Sequence, residues 1–185
     1  VGVQIFLVLS AKLISGKKFD SVSSVILFFK SRVLRIFVPV WIYLLFLVPA
    51  LFVIGKGPSL DGTIMYVLGL AGFAKRGVLG LGHFWYITVL IICYCLVPLL
   101  YKIAHYCEKL NKVKAIFLKL IIPSAAILAF LFTKNKYFGV NIALFSVTYF
   151  WFYEMKNDEN WSKGKNKYLI PVSVLLILIR LYFDT

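Results

Sequence analysis

The sequence contains few acidic residues and little charge overall. Only 7 of its 185 residues are Asp or Glu, and the four charged types together make up 15 %, whereas they make up about 25 % of an ordinary soluble domain. Hydrophobic residues account for 62 %, against roughly 45–50 % in such a domain. A soluble domain of this length could not bury so much apolar surface, and a disordered chain would be far more polar. The composition therefore predicts an integral membrane protein with several spans.

Metal-binding and nucleophilic motifs are also missing. The chain has three cysteines and two histidines, with no CxxC or HExxH spacing, no P-loop and no Ser/His/Asp set. Cys93 and Cys95 lie within an apolar run and are interpreted as small buried thiols. We therefore predict neither a metal site nor a tightly bound cofactor.

The apolar residues fall into six blocks separated by polar stretches. The last five are long enough to cross the hydrocarbon layer at a rise of about 1.5 Å per residue, and the first is shorter. The blocks are residues 1–14, 37–54, 83–101, 115–132, 137–153 and 168–183. They predict an all-α fold: one polytopic membrane helix bundle over residues 1–185, with about six transmembrane helices, the first of them partial.

The basic residues predict how the bundle is oriented. The net charge is +14, and most Lys and Arg residues fall in three stretches between apolar blocks, residues 12–35, 102–114 and 154–167. Such stretches are typical of cytoplasmic loops. The charge is thereby explained without a nucleic-acid partner, and we expect a multi-pass protein of the cell membrane.

Two segments between the blocks have a character of their own. Residues 17–36 combine apolar side chains at helical spacing with basic ones, which predicts an amphipathic segment on the cytoplasmic surface that runs into the second block. Residues 55–82, rich in glycine and with an apolar patch at 64–73, predict a re-entrant or interfacial loop on the outer side.

Two sets of residues could carry chemistry. Arg32 and Arg35, three residues apart, share one helix face and could grip phosphates through bidentate hydrogen bonds. Taken alone, they are better explained as a positively charged anchor for anionic lipid headgroups. His83, which follows Gly82 at the start of the third block, could titrate or donate a hydrogen bond, or could simply lie among interfacial aromatic residues. The residues by themselves indicate a membrane transporter or a membrane enzyme.

Three motifs in order along the chain resemble the membrane-bound acyltransferase 3 family. The segment GVQIFLVLS with the following KLI, residues 2–14, resembles the family's second transmembrane helix, although Ala11 stands where the family usually has glycine. The segment FKSRVLRIFVPVW, residues 29–41, resembles its RxxR segment. The segment GHFWYI, residues 82–87, followed by Tyr94 and Pro98, resembles its Gly-His-x-Trp helix. The likeness covers residues 2–100.

The resemblance implies a fold and an activity. The family has about ten transmembrane helices and moves an acyl group, often acetyl, from cytoplasmic acyl-CoA to a hydroxyl of a cell-surface polysaccharide or other glycan. The chain would then be incomplete at both ends and lie in a bacterial plasma membrane, with the bilayer, acyl-CoA and a glycan acceptor as its partners and acetyl-CoA as the donor substrate.

The resemblance also implies roles for particular residues. It assigns Arg32 and Arg35 to acyl-CoA binding and places Ser10, His83, Trp85 and Tyr86 around a candidate pocket. The family's proposed base is a histidine on the first helix, which would precede Val1. No catalytic residue is therefore expected in this chain, and the chain by itself is expected to be inactive.

Two other classes remain open. A secondary transporter or flippase would be favoured by an ionisable relay inside the spans or by a repeated half, and the sequence shows neither. A non-catalytic membrane scaffold would need no arginine pair.

Overall fold

The structure is a computed structural model that describes residues 2–73, 84–131 and 136–157, without the side chains of residues 136 and 137. Within these ranges it is helical and contains no strand. The helices are α1 (Gly2–Ser15), α2 (Val22–Val53), α3 (Leu60–Val67), α4 (Trp85–Cys107), α5 (Lys112–Leu131) and α6 (Lys136–Asn157), and a 3-10 turn lies at Ala71–Phe73. The predicted all-α membrane fold is confirmed: α2, α4 and α5 are each long and apolar enough to cross a membrane.

Helix α2 joins two elements that the sequence treats separately. Its first residues belong to the amphipathic segment and its last to the second apolar block, and the helix passes from one to the other without a break. The second apolar block begins at residue 37, so a membrane helix that began there would have Pro39 in its first turn. Pro39 instead lies inside α2, and it cannot donate the usual hydrogen bond to the Arg35 carbonyl. The location of residues 17–36 on the cytoplasmic surface remains a prediction, and the sixth block, residues 168–183, lies outside the described residues.

The ends of α2 are defined by local chemistry. Ser21 is the N-cap: its hydroxyl accepts a hydrogen bond from the Ser24 N–H at 3.2 Å, and the Ser24 Oγ accepts one from the Ser21 N–H at 3.4 Å. This reciprocal pair satisfies backbone donors that an uncapped helix leaves free. After Val53 the chain turns at Gly55, whose φ of 67° is readily adopted by glycine.

The chain divides into two compact units. The α6 unit comprises Val1–Phe19 and Cys95–Thr185, and the α2 unit comprises Asp20–Tyr94. In the α6 unit, α6 packs against α1 and α5, and every residue from 138 to 150 is buried. Ala11, at the position where the resemblance leads one to expect glycine, is fully buried on α1.

The α2 unit has a core of its own. Val40 and Leu44 of α2, Tyr66 of α3 and Ile87 of α4 form a buried apolar cluster. Thr88 connects α4 to the segment after α3, because its hydroxyl donates to the Gly69 carbonyl at 2.8 Å and accepts from the Gly72 N–H at 2.9 Å. The predicted re-entrant or interfacial segment thus contains a short helix held by both neighbours, while residues 74–83 lie outside the described residues.

Candidate functional site

The two arginines of the RxxR segment lie on one face of α2 but in different surroundings. The Arg32 guanidinium carbon is 5.7 Å from the ring centre of Phe28, one turn earlier, and 5.4 Å from that of Tyr94 on α4. The two rings meet edge to face, with their centres 6.0 Å apart. Arg32 is half-buried and Arg35 is exposed. Cation–π contacts of this kind hold a guanidinium in place without neutralising it.

The charge of this pair has no acidic counterpart in the described part of the chain. No hydrogen bond or ion pair involves either arginine there, and the Nε of Arg32 is buried without a hydrogen-bond partner. Buried polar groups are normally paired, and an orphaned one calls for an explanation such as an absent ligand. A guanidinium presents a planar fork of N–H donors, which suits an oxyanion such as phosphate. The arrangement can therefore bind an anion at the beginning of a membrane-spanning helix.

The candidate pocket residues fall in different parts of the structure. Trp85 and Tyr86 lie half-buried in the first turn of α4, and Tyr86 packs against the core of the α2 unit. Ser10 is buried on α1 in the α6 unit. His83 lies outside the described residues. Trp85 and Tyr86, which are neighbours in the sequence, thus lie together at the start of α4. A pocket that they share with Ser10 and His83 remains a prediction.

A charged pair that the sequence did not suggest lies in the α6 unit. Lys119 of α5 forms an ion pair with Glu154 of α6, and both side chains are largely buried, at 12 % and 15 % exposure. The sequence placed Lys119 inside an apolar block without a partner and put Glu154 in the loop that follows the fifth block. The pair exists because α6 continues to Asn157 and so carries Glu154 within the helix.

A second polar group involves α6 and Glu108, the residue that directly follows α4. One carboxylate oxygen of Glu108 accepts hydrogen bonds from the Tyr153 hydroxyl at 3.0 Å and from the Asn157 side-chain amide at 3.2 Å. The other oxygen lies 3.2 Å from His105 Nδ1. The carboxylate thus connects the end of α4 to the end of α6. Among the described residues, no cluster of three or more His, Cys, Asp or Glu side chains could hold a metal ion.

Comparison with known proteins gives one positive result. The family model for the acyltransferase domain of the acyltransferase 3 family matches residues 1–184. Neither a curated protein nor a solved structure matches the chain.

Proposed function

The chain belongs to the acyltransferase 3 family, and we propose that it takes an acyl group, specifically acetyl, from cytoplasmic acetyl-CoA for transfer to a hydroxyl of a cell-surface glycan. The family match supports membrane acyltransferase activity, and the long apolar helices agree with a multi-pass membrane protein. The observation that carries the choice of donor is the positive charge of Arg32 and Arg35, which form no ion pair with the described residues. We also propose that the protein lies in a bacterial plasma membrane.

Arg32 is the main donor-binding residue in this proposal. CoA brings a pyrophosphate and a 3′-phosphate to the cytoplasmic face, where the basic stretch 12–35 is expected to lie. Phe28 and Tyr94 fix the Arg32 side chain in advance, so little conformational entropy is lost when it binds a phosphate oxygen. Arg35, one turn further along α2, adds a second positive charge to the same face.

The arginines would bind and orient the donor rather than act on the reacting atoms. In acyl transfer, a base removes the proton of the acceptor hydroxyl, and the oxygen attacks the thioester carbonyl. The tetrahedral intermediate then collapses, the C–S bond breaks and the CoA thiolate leaves, taking up a proton. The proposal does not assign the base to any of the described residues.

The transporter or flippase alternative gains one observation from the structure. The Lys119–Glu154 pair is an ionisable pair between two apolar helices, and charges at such positions often mark a transport path. A single closed ion pair does not by itself make a relay, however. The family match favours the acyltransferase.

Charge-conserving substitutions test the donor assignment. Arg32→Lys and Arg35→Lys in the protein in its native membrane keep the positive charge but remove the planar fork. We expect Arg32→Lys to lower glycan acetylation about tenfold or more at unchanged protein level, as the loss of a charge-assisted bidentate contact implies. In the purified enzyme the loss should appear as a raised KM for acetyl-CoA. Lys30→Arg is the matched control, because Lys30 is exposed on the opposite side of α2.

Unchanged acetylation in the lysine variants would mean that the arginines only anchor the helix to anionic lipid headgroups. If both variants and the double variant acetylate at the parent's rate, positive charge is all that the membrane requires there. The donor assignment is then wrong, whatever the family membership.

A further inference from the structure

Tyr94 connects the two motif segments of the α2 unit. It lies on α4, the helix that begins with Trp85, whereas the arginine pair lies on α2. The centre of its ring is 5.4 Å from the Arg32 guanidinium carbon, and the side chain is only 5 % exposed. The contact therefore joins the helix that resembles the family's Gly-His-x-Trp segment to the helix that resembles its RxxR segment.

The first half of α2 buries very little of itself. Of residues 22–39, all of which the structure describes, only Phe28 is buried, at 3 % exposure. The Phe28 ring meets the Tyr94 ring edge to face, and Arg32 follows Phe28 by about one helical turn. The Arg32 side chain is thus held between a ring of its own helix and a ring of α4.

This way of holding an arginine leaves its hydrogen-bonding groups available. An aromatic face attracts a guanidinium through the charge distribution of the ring and does not neutralise it. A carboxylate would also fix the side chain, but it would occupy the planar fork of N–H donors and cancel the charge. The Arg32 Nε is accordingly buried without a hydrogen-bond partner among the described residues. A ring that fixes the fork and leaves it open suits a site that binds a phosphate.

We propose that Tyr94 is a positioning residue for the donor, because its ring holds the Arg32 guanidinium in the orientation in which the fork meets a CoA phosphate. The two motif segments then contribute to one donor site, and α4 sets the affinity for CoA through Arg32. The inference rests on the proposed function, in which Arg32 and Arg35 bind the donor. It depends on the ring of Tyr94 and not on the hydroxyl, since the ring face makes the cation–π contact.

Binding of CoA to the protein purified in detergent tests the assignment, with isothermal titration calorimetry as the measurement. Tyr94→Phe keeps the ring, and Tyr94→Leu removes it but keeps an apolar side chain. Phe28→Leu removes the other ring and serves as a second variant should Tyr94→Leu fail to fold. The control is Tyr106→Leu, the same change at a 58 % exposed position of α4.

We expect Tyr94→Phe to bind CoA with a Kd within about twofold of the parent's. Tyr94→Leu and Phe28→Leu should each weaken binding about three- to tenfold, the loss that a partly desolvated cation–π contact implies. Tyr106→Leu should stay within about twofold of the parent. A variant that is merely less well folded would show fewer binding sites, with the Kd of the remaining sites unchanged.

A double-variant cycle separates positioning from structural support. Arg32→Gln removes the cation, so adding Tyr94→Leu to it should weaken CoA binding by less than about twofold further. A ring that only supported the packing of α4 would weaken binding to the same extent with and without Arg32.

Three results would overturn the role of Tyr94. Equal losses in Tyr94→Phe and Tyr94→Leu would assign the effect to the hydroxyl. Equal effects of Tyr94→Leu in the parent and in Arg32→Gln would assign it to packing. Unchanged affinity in both Tyr94→Leu and Phe28→Leu would mean that the rings do not orient the arginine. Failure of the donor assignment has a different pattern, because Arg32→Gln itself would then bind CoA as tightly as the parent.

Discussion

Helices α2 and α6 show opposite relations between composition and burial. The most apolar window of α2 has a mean hydropathy of 2.5, yet only 11 % of it is buried. Helix α6 does not reach the hydropathy of the candidate membrane helices, yet it is buried at every residue from 138 to 150. In a soluble protein the more apolar helix would be the buried one.

The bilayer explains this reversal. Lipid tails are as apolar as leucine, so an apolar helix gains no hydrophobic free energy by packing away from them. A helix with polar side chains must satisfy them inside the protein instead. Helix α6 does so for several of them: Asn141 accepts a hydrogen bond from Gln4 at 3.4 Å, Ser146 and Thr148 donate to backbone carbonyls, and Glu154 pairs with Lys119. Tyr149 Oη, Trp151 Nε1 and the second Glu154 oxygen are buried without a hydrogen-bond partner among the described residues. The charges of α2 lie at one end, where they can meet water, headgroups and ligands.

Separating the buried ion pair should have the largest effect. Lys119→Met leaves the Glu154 carboxylate buried without its partner, which costs about 3–5 kcal/mol when one member of a buried pair is removed. Thermal unfolding in detergent micelles measures the loss. The control is Lys114→Met, at an exposed position on the same helix, which should change stability by less than about 0.5 kcal/mol.

The double variant Lys119→Met with Glu154→Leu sharpens that result. Replacing both charges with apolar side chains should recover most of the loss, because no unpaired charge remains. If Lys119→Met is no more damaging than Lys114→Met, the pair contributes nothing to the contact between α5 and α6.

A pair of leucines tests the contrast between the two helices directly. Leu144 on α6 is 1 % exposed and Leu45 on α2 is 70 % exposed. Leu144→Ala should cost about 2–5 kcal/mol, because it leaves a cavity in a packed interior. Leu45→Ala should cost less than about 0.5 kcal/mol, because lipid replaces the lost contacts. Equal losses, measured as unfolding midpoints in lipid nanodiscs, would mean that α2 packs against protein along its exposed side.

Much of the fold could be predicted from the sequence, because a run of apolar residues long enough to cross a bilayer has few alternatives to a helix. The described parts of the first five blocks are helical, apart from single residues at block ends. That the amphipathic segment and the second apolar block form one continuous helix could not be predicted, because Pro39 is typical of a helix start. In the structure Pro39 lies inside α2. The ends of α4 and α6 lie beyond their apolar blocks, where polar residues such as Glu108 and Asn157 bond to each other across helices.

The site was predicted only in part. Arg32 and Arg35 were proposed as a pair, but the sequence treats them as equivalent. The difference between them comes from Tyr94, which reaches Arg32 only through the packing of α4 on α2. The partner of Lys119 is likewise set by packing, because Glu154 lies on another helix and no local spacing connects the two residues.

A glycine substitution should give the smallest of the three effects and tests how closely α6 packs. A Cβ at Gly139 would lie 2.6 Å from the Ala126 carbonyl oxygen and 3.0 Å from the Ile127 Cα, both backbone atoms of α5. Gly139→Ala should therefore destabilise the protein by about 1–3 kcal/mol, as overpacking does, even though alanine favours a helix by roughly 1 kcal/mol over glycine. Gly2→Ala is the control, because a Cβ there meets nothing within 4 Å, and it should leave stability unchanged or slightly raised. Thermal unfolding of both variants in the same detergent decides the matter, and a stabilised Gly139→Ala would show that α5 and α6 do not approach closely at this point.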